Sequence, residues 1–254
     1  MSRFTGFLTL VRREILRYVR RPRNTFMPPL ITNVLYFSVF GVILGERIGP
    51  TGDFSYVLFI LPGLVVLGTI SNAFENASFS IFHGRWNEYI HETLTSPMSY
   101  PQMVFAYVAS SALRGVIIGI IISVVGAFFT PVGIEHPLYL VAFMVVIPSL
   151  FASLGVAGGL WARDFDYLTV MNQFIIRPLV FFGGIFYALD ALPEPWYTIS
   201  LANPMVYMVS GVRYGFLDYY DVDPNLALAV LTGATVAVLA LDIALFKRGY
   251  GLAD

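Results

Sequence analysis

Six apolar stretches, separated by short polar connections, restrict the folds that this chain can adopt. Each is about 20 residues long or longer, the length that a helix needs to cross the hydrocarbon core of a bilayer. Hydrophobic residues make up 57% of the 254 residues and charged residues only 12%, as is typical of integral membrane proteins. We therefore predict an all-α membrane protein, a single transmembrane domain over residues 1–254. The six predicted transmembrane helices are residues 27–45, 56–80, 102–129, 137–161, 168–188 and 225–246.

The basic residues predict the orientation of these spans. Cytoplasmic loops of membrane proteins carry an excess of arginine and lysine. If the N-terminus is cytoplasmic, only Arg47 and Arg213 fall on the outer side. We therefore expect a plasma membrane protein with both termini in the cytoplasm. The basic residues on the cytoplasmic side are then Arg3, Arg12, Arg13, Arg17, Arg20, Arg21, Arg23, Arg85, Arg163, Lys247 and Arg248.

Residues 1–23 have the pattern of an amphipathic helix. Arginines occupy most of one side, and the other side is apolar. Such a helix lies in the headgroup layer with its arginines toward anionic lipid, although an ordinary cytoplasmic cap helix would show the same pattern. The apolar side consists of Phe4, Phe7, Leu8, Val11, Ile15 and Val19.

Residues 82–100 form a polar segment between the second and third spans. From Arg85 to Leu94 the apolar residues recur at helical spacing, and Glu88 and Glu92 lie one turn apart. The pattern predicts a short cytoplasmic helix that ends before Pro97, because the residue before a proline is disfavoured in the α-helical region. Such a helix either reverses the chain or is a surface that a second protein grips. Its apolar residues are Trp86, Tyr89, Ile90 and Leu94.

Charged residues also occur inside the predicted spans. Glu75, Arg114 and Arg177 all fall between the cytoplasmic half and the middle of the bilayer. Charges at this depth are unfavourable unless they face protein or water, so they are candidates for function. We expect Glu75 to neutralise Arg177 or Arg114. Asp242, one turn from Lys247, is expected to form an interfacial pair.

The segment 188–224 between the fifth and sixth spans is apolar and aromatic, yet prolines divide it into pieces of about ten residues. Pieces this short fit re-entrant or interfacial helices on the exterior, packed on protein or lining a wet cavity.

The region from the fifth span onward resembles the signature of a known family. The matching residues are Ile176, Leu179, Gly183, Ile185, Leu192-Pro193, Pro204-Met205, Tyr207 and Arg213, with Leu94-Thr95-Ser96-Pro97 and Arg163-Asp164 earlier in the chain. These features are similar to those of the type-two ABC transporter permeases, the membrane subunits of ATP-driven exporters of drugs, lipids or polysaccharides. Phe182 departs from the pattern, which favours a smaller or aliphatic residue there. The resemblance extends over essentially the whole chain.

The resemblance implies a transport subunit that is not itself an enzyme. In that family the segment after the second span is a coupling helix, which docks into a separate ATP-binding subunit. It also implies that two permease subunits, here expected to form a homodimer, enclose a path lined partly by the first and fifth spans. Arg177 would be the one charge near that path and would attract an anionic headgroup or phosphate. The segment 188–224 would then gate the exterior exit of the path, with Pro193, Trp196, Pro204, Tyr207 and Arg213 as the gate residues. The docking residues would be Arg85, Glu88, Tyr89, Glu92 and Leu94, and the path residues Arg177, Phe181, Phe182 and Phe186.

The sequence also limits the cofactors and partners of this protein. The only lysine, Lys247, is followed by Arg248, so the chain lacks the Lys-Ser/Thr pair that ends a phosphate-binding loop. If transport uses ATP, a partner subunit must bind it. We expect the chain to contact membrane lipid and to bind no nucleic acid, metal or cofactor. An ion-gradient-driven secondary transporter is the alternative, because it would also fit the charges within the spans. An intramembrane metalloenzyme is less favoured, because Thr95 follows His91-Glu92 where a second histidine is needed.

Overall fold

The computed structural model describes residues 3–50 and 54–252, and this part of the chain is helical with no β-strand. The predicted helix 1–23 and domain 1–254 also include residues 1, 2, 51–53, 253 and 254, which lie outside the described residues. π-Helical segments, Phe37–Ile43 and Met171–Ile176, extend α2 and join α8 to α9. The α-helices are α1 Arg3–Val19, α2 Pro22–Tyr36, α3 Gly45–Ile48, α4 Tyr56–Trp86, α5 Ile90–Leu94, α6 Tyr100–Ala127, α7 Pro137–Trp161, α8 Phe165–Val170, α9 Arg177–Phe181, α10 Glu194–Leu201, α11 Pro204–Leu217 and α12 Pro224–Arg248.

Within the described residues, five helical segments are long and apolar enough to cross a membrane. They correspond to the first four predicted spans and the last one, so the apolar stretches predicted these helices well. α4 differs most, because it continues beyond residue 80 to Trp86. The five segments are Pro22–Ile43, Tyr56–Trp86, Tyr100–Ala127, Pro137–Trp161 and Pro224–Arg248.

The fifth predicted span, residues 168–188, is not confirmed. The chain is helical from Phe165 to Phe181, and these 17 residues extend about 26 Å at about 1.5 Å per residue. The chain then turns at Gly184, which has a left-handed φ of +77°. Gly183 lies so close to Met205 of α11 that a Cβ there would be 2.6 Å from the Met205 Cβ. A sixth crossing therefore stays a prediction.

α4 is the central helix of the bundle. Of its most apolar window 78% is buried, compared with 17% for Pro22–Ile43 and 22% for α12. Gly155 and Gly159 of α7 lie directly on α4, where a Cβ at either position would come within 2.6 Å of a backbone carbonyl oxygen. Small residues at such contacts let two membrane helices approach closely. The outer segments Pro22–Ile43 and α12 thus leave most of their apolar surface uncovered in this chain.

The two ends of the bundle differ in composition. The basic end carries α1, α5, the C-terminal ends of α7 and α12, and the start of α6. At this end Gly251 lies against the Leu160 carbonyl group, so the chain after α12 passes under the end of α7 at this residue. At the opposite end the Gly215 carbonyl oxygen accepts hydrogen bonds from the Glu135 and His136 amides, which joins α11 to the start of α7.

α1 packs against α6 through a stripe other than its predicted apolar side. Leu10, Glu14 and Tyr18 are buried at 4%, 2% and 3% exposure, whereas Phe4 on the predicted apolar side is 66% exposed. The buried stripe includes a carboxylate, so α1 is held to the bundle partly by polar contacts. Its position in the headgroup layer stays a prediction.

The segment after α4 is not the continuous helix predicted from Arg85 to Leu94. α4 ends at Trp86, and α5 begins only at Ile90. Glu88 between them has a φ of +61°, a left-handed conformation that few side chains favour. The helical spacing of the apolar residues was therefore misleading across this turn.

The segment 188–224 contains two helices, each of which begins at a proline. Pro193 is the N-cap residue of α10, and Pro204 is the first residue of α11. α11 packs against α4, α7 and α12 and is largely buried. Proline is well tolerated at these positions because the first helical amides need no intrahelical acceptor. The re-entrant position of these helices stays a prediction.

Candidate functional site

A cavity of about 370 Å³ lies between α2, α4, α6 and α9. It brings together all three charged residues that the sequence singled out within the spans. Glu75 and Arg177 lie about 16 to 18 Å from the basic end of their helices, at about 1.5 Å per residue. We call it the charged cavity. It is lined by Asn24, Thr25, Pro28, Pro29, Thr32, Asn33, Tyr36, Leu67, Gly68, Ser71, Asn72, Glu75, Arg114, Arg177 and Phe181.

The predicted ion pair of Glu75 with Arg114 or Arg177 is absent from the described residues, where neither arginine lies within 4.0 Å of it. Glu75 Oε1 instead accepts a 2.8 Å hydrogen bond from Asn172 Nδ2. Asn172 is buried against Glu75 of α4, whereas Arg177 is exposed, so the amide and not the guanidinium contacts the carboxylate. The three charges share a cavity but are not a direct pair.

The two arginines of the charged cavity have different environments. Arg114 is fixed, because its Nη1 donates to Asn76 Oδ1 at 3.2 Å and its Nη2 to Asn72 Oδ1 at 3.1 Å. Arg177 is exposed, and its guanidinium has no hydrogen bond or ion pair to another described residue. One cation is thus held in place and the other is available to meet a ligand.

The two helical segments that border the cavity on its open side are irregular. Pro28 and Pro29 lie inside α2, and a π-helical segment follows α2 at Phe37–Ile43. A second π-helical segment, Met171–Ile176, directly precedes Arg177. π-Helical turns are unfavourable in general and occur frequently at functional sites. Nothing in the sequence indicated the π-helical segments, and only Pro28 and Pro29 indicated that α2 is irregular.

The aromatic residues predicted to line a path have three different positions. Phe181 lines the charged cavity. Phe182 is 62% exposed and does not line it. Phe186 packs between Phe40 and Phe181, with ring centroids 4.9 and 5.5 Å away. Only Arg177 and Phe181 of the four predicted path residues therefore border the cavity.

A polar network connects α1 with this cavity. Arg17 Nη2 donates to Asn76 Oδ1 at 3.0 Å, the same amide oxygen that accepts from Arg114. Asn76 Nδ2 in turn donates to Ser111 Oγ at 2.8 Å. α1, α4 and α6 are thus joined by hydrogen bonds at the inner edge of the cavity.

Glu14 anchors this network and was missed by the sequence reasoning. Ser80 Oγ donates to Glu14 Oε2 at 2.5 Å, and Arg13 Nη2 donates to Glu14 Oε1 at 3.0 Å. Arg17 completes the cluster as an ion pair at 3.3 Å. One signal was available: Glu14 is the only acidic residue before Glu46, in a segment rich in arginine.

The same cluster reaches the segment after α4. Arg13 Nη2 donates to the Tyr107 hydroxyl at 3.2 Å, and its guanidinium lies 5.5 Å from the centroid of the Tyr89 ring. Burial raises the pKa of the Tyr89 phenol, so it remains neutral at physiological pH. Tyr89 therefore contacts α1 through its ring face, an arrangement that favours a nearby cation.

Arg85 does not point outward as a docking residue would. Its Nη1 donates to the carbonyl oxygens of Gly159, Leu160 and Ala162 at 2.8, 2.8 and 2.9 Å. These carbonyls belong to the C-terminal end of α7, where orphan acceptors and the helix dipole favour a cation. These contacts give Arg85 a structural role at the end of α7, and its docking role stays a prediction.

Exposed residues of the segment after α4 form a surface at the basic end. Trp86 is 62% exposed, and Glu88 and Glu92 are exposed as well, whereas Tyr89 and Leu94 are half-buried. We call Trp86, Glu88 and Glu92 the exposed triplet. Glu92 of the triplet also lines a groove of about 800 Å³ on α1, which we call the basic groove. The groove is lined by Thr9, Arg12, Arg13, Glu14, Leu16, Arg17, Arg20, Arg21, Tyr89 and Glu92.

At the opposite end, buried Arg213 joins Asp221 to the turn at Gly184, and we call this set of contacts the Arg213 tie. Arg213 is 0% exposed, its Nη1 donates to Asp221 Oδ2 at 2.8 Å, and its Nη2 donates to the Gly184 carbonyl oxygen at 2.7 Å. Its guanidinium also lies 4.0 Å from the centroid of the Phe59 ring. The other predicted gate residues lie nearer the surface: Pro193, Trp196 and Pro204 are exposed, and Tyr207 is half-buried.

The prediction of an interfacial pair between Asp242 and Lys247 is wrong. Asp242 is 0% exposed and accepts a hydrogen bond from Ser153 of α7. Five residues separate Asp242 from Lys247, which places them on different faces of α12, and Lys247 is exposed. Among the described residues, moreover, no three His, Asp or Glu side chains converge as metal ligands.

Comparisons with known proteins show which family this chain is similar to. Residues 5–217 match the family model described as ABC-2 type transporter. The chain is 37% identical over 240 residues to the inner membrane transport permease YadH of Escherichia coli K12, covering 94% of each chain. It is 24% identical to nodulation protein J of Rhizobium leguminosarum bv. viciae, covering 96% of this chain and 94% of that one. The corresponding protein of Rhizobium meliloti is 22% identical, with 96% and 93% covered.

Proposed function

Because the chain belongs to the ABC-2 type transporter family and is a multi-pass plasma membrane permease, we propose that it is the membrane subunit of an ATP-driven exporter. A separate ATP-binding cassette subunit binds and hydrolyses ATP, and this chain carries the path. The observation that supports this proposal most is the exposed triplet beside the basic groove. It presents two carboxylates and an exposed tryptophan at the end of the bundle from which the polar network leads to the charged cavity.

The exposed triplet and the basic groove serve as the docking surface for the ATP-binding subunit. Trp86 is a residue type that dominates many protein interfaces, and Glu88 and Glu92 make no ion pair with other described residues. The basic groove complements an acidic partner helix, because five arginines line it. A movement of the ATP-binding subunit against this surface is transmitted to α1 through the contact of Tyr89 with Arg13.

The basic end is the cytoplasmic end in this proposal. The ATP-binding subunit then lies below both termini, α5 and the start of α8. The Arg213 tie lies on the outer side of the membrane. α10 and α11 act as re-entrant exterior helices that gate the exit, and α1 lies at the headgroup layer. The segment from Phe165 to Phe181 is the sixth crossing. It is short for a membrane span, so the bilayer is locally thinner there or a partner subunit covers its end.

A second copy of the permease completes the path. The first span and the segment 165–181 border the charged cavity, and both leave apolar residues such as Leu35, Phe174 and Ile175 largely exposed. Two protomers that face each other through these helices would enclose the cavities between them. One bundle alone has α4 at its centre and therefore no room for a continuous channel among the described residues.

Affinity purification of the full-length chain from native membranes tests the proposed function. We expect an ATP-binding cassette protein to co-purify in about equal amount and the complex to hydrolyse ATP. Purification of the chain alone from cells that transport normally, with no ATPase activity, would contradict the proposal. Transport that follows an ion gradient without an ATPase would support a secondary transporter instead.

A further inference from the structure

The charged cavity has an unbalanced charge. It contains the cations Arg114 and Arg177 and one carboxylate, Glu75, among residues that are otherwise neutral. We propose that the charged cavity binds the anionic headgroup of an amphiphile, so that the exported substrate is a lipid-like molecule with a phosphate or carboxylate group. The substrate assignment rests on the proposed function, because it takes the cavity to be part of the export path.

The contacts of the three charged residues explain why the excess charge is available to a ligand. Glu75 is held by Asn172 rather than by an arginine. Arg114 uses Nη1 and Nη2 for Asn76 and Asn72, and its Nε is buried without a partner among the described residues. The guanidinium of Arg177 is exposed at the rim, with its donors available. A cation at membrane depth is unfavourable without a counterion, and a bound anion would supply it.

The lining of the charged cavity matches an amphiphile better than a free ion. Polar groups from Thr32, Ser71 and Asn72 stand on the same lining as apolar surface from Leu67 and Phe181. Phe181 and Arg177 are both exposed at its rim, one helical turn apart on α9. A headgroup held by Arg177 would therefore leave its acyl chain against Phe181 and the adjacent apolar face of α2.

The size of the cavity also limits the ligand. A volume of about 370 Å³ is at the lower end of the range of about 300 to 1,000 Å³ for small-molecule sites. A phosphate-bearing headgroup fits into it, whereas a long glycan does not. The ligand therefore enters headgroup first, and its tail remains outside between the irregular helices.

Native mass spectrometry of the detergent-solubilised full chain tests this inference without the ATP-binding subunit. The probes are dihexanoyl phosphatidylglycerol, dihexanoyl phosphatidylcholine and inorganic phosphate. We expect phosphatidylglycerol to bind about tenfold more tightly than the zwitterionic lipid. Equal binding of the two lipids would overturn the inference. Inorganic phosphate bound as tightly as phosphatidylglycerol would show a site for a free anion and would also overturn it.

Neutralising substitutions at two residues of the cavity, Arg177 and Glu75, have opposite expected effects. Arg177→Gln should reduce binding of phosphatidylglycerol about tenfold, to the level of phosphatidylcholine, and Arg177→Lys should retain most of it. Glu75→Gln keeps the acceptor for Asn172 but removes the negative charge, so it should tighten binding several-fold. A merely structural role of Glu75 predicts weaker binding, which would contradict the inference.

Arg47→Gln is the matched control, because Arg47 is an exposed arginine of α3 outside the cavity. It should bind phosphatidylglycerol as the unsubstituted chain does. An equal loss in Arg47→Gln would indicate unspecific surface charge and would overturn the inference. If this binding test fails, an ATPase can still co-purify with the chain. The headgroup site and the proposed exporter function can therefore be rejected independently.

Discussion

Glu14 of α1 accepts a 2.5 Å hydrogen bond from Ser80 of α4, and this contact fastens the N-terminal helix to the centre of the bundle. Both residues are buried at 2% exposure. The carboxylate also meets Arg13 and Arg17, so one acidic side chain organises the basic end.

Glu14→Ala should destabilise the protein more than removal of an exposed carboxylate. The change leaves Ser80 without its acceptor and two arginines without their counterion, for which we expect a loss of about 2 to 3 kcal/mol in the free energy of unfolding. Thermal unfolding in detergent measures this. The control is Glu92→Ala, which should lie within about 0.5 kcal/mol of the unsubstituted chain. Equal stability of the two variants would argue against an anchoring role of Glu14.

Two contacts between a basic and an acidic side chain at the opposite end have the same length but different burial. Arg213 and Asp221 lie 2.8 Å apart with side chains 0% and 6% exposed, whereas His136 and Asp218, also 2.8 Å apart, are 34% and 65% exposed. Asp221→Asn should cost about 3 to 5 kcal/mol, because it leaves a buried guanidinium uncompensated. Asp218→Asn should cost about 1 kcal/mol or less. Denaturant unfolding of both variants checks this, and a similar loss from each would contradict the assigned tie.

The segment after α4 should show two separable kinds of effect. Arg85→Gln removes the cation from the carbonyl oxygens that end α7, so we expect a less stable protein whose ATP-binding subunit still docks. The reversal of Glu88 and Glu92 to lysine should preserve stability and uncouple ATP hydrolysis from transport. Co-purification, thermal unfolding and ATPase assays on each variant distinguish these effects. Normal transport by the Glu88→Lys, Glu92→Lys variant would remove the docking assignment.

Glu88 is expected to tolerate glycine better than a β-branched residue. Its φ of +61° is a left-handed conformation, which glycine adopts freely. Glu88→Gly should therefore match or exceed the stability of the unsubstituted chain, while Glu88→Val should lose about 1 to 2 kcal/mol. Thermal unfolding of the two variants measures the difference. If Glu88→Val proves as stable as Glu88→Gly, the chain does not make this left-handed turn.

The sequence predicted the elements whose signal lies within one continuous stretch. α4, α6, α7 and α12 were found because lipid-spanning helices must be long and apolar. The prolines likewise predicted short pieces in the segment 188–224, and α10 and α11 begin at two of those prolines. Contacts between distant segments were not predictable in this way. Helical spacing identifies a face but not the helix that covers it, so the Glu14 cluster, the Arg85 contact with α7 and the burial of Asp242 appeared only in the structure.

The charged cavity shows the same limit at the candidate site. Depth along the helices placed Glu75, Arg114 and Arg177 at similar levels, and they do share a cavity. The direct partners of Glu75 and Arg114 are amides: Asn72, Asn76 and Asn172. A neutral amide carries no signal that distinguishes it from other polar residues in a span, so the sequence favoured the ion pair.

Photocrosslinking from position 92 tests the central claim, that a separate ATP-binding subunit acts on the exposed triplet. The chain contains no cysteine, so Glu92→Cys and the control Asp190→Cys each give one attachment point for benzophenone maleimide. Asp190 is an exposed residue near the opposite end. In native membranes we predict a crosslink to an ATP-binding cassette protein from the Glu92→Cys variant and none from the Asp190→Cys variant. A crosslink to that protein from Asp190→Cys alone, or none from Glu92→Cys in transporting membranes, would contradict the account.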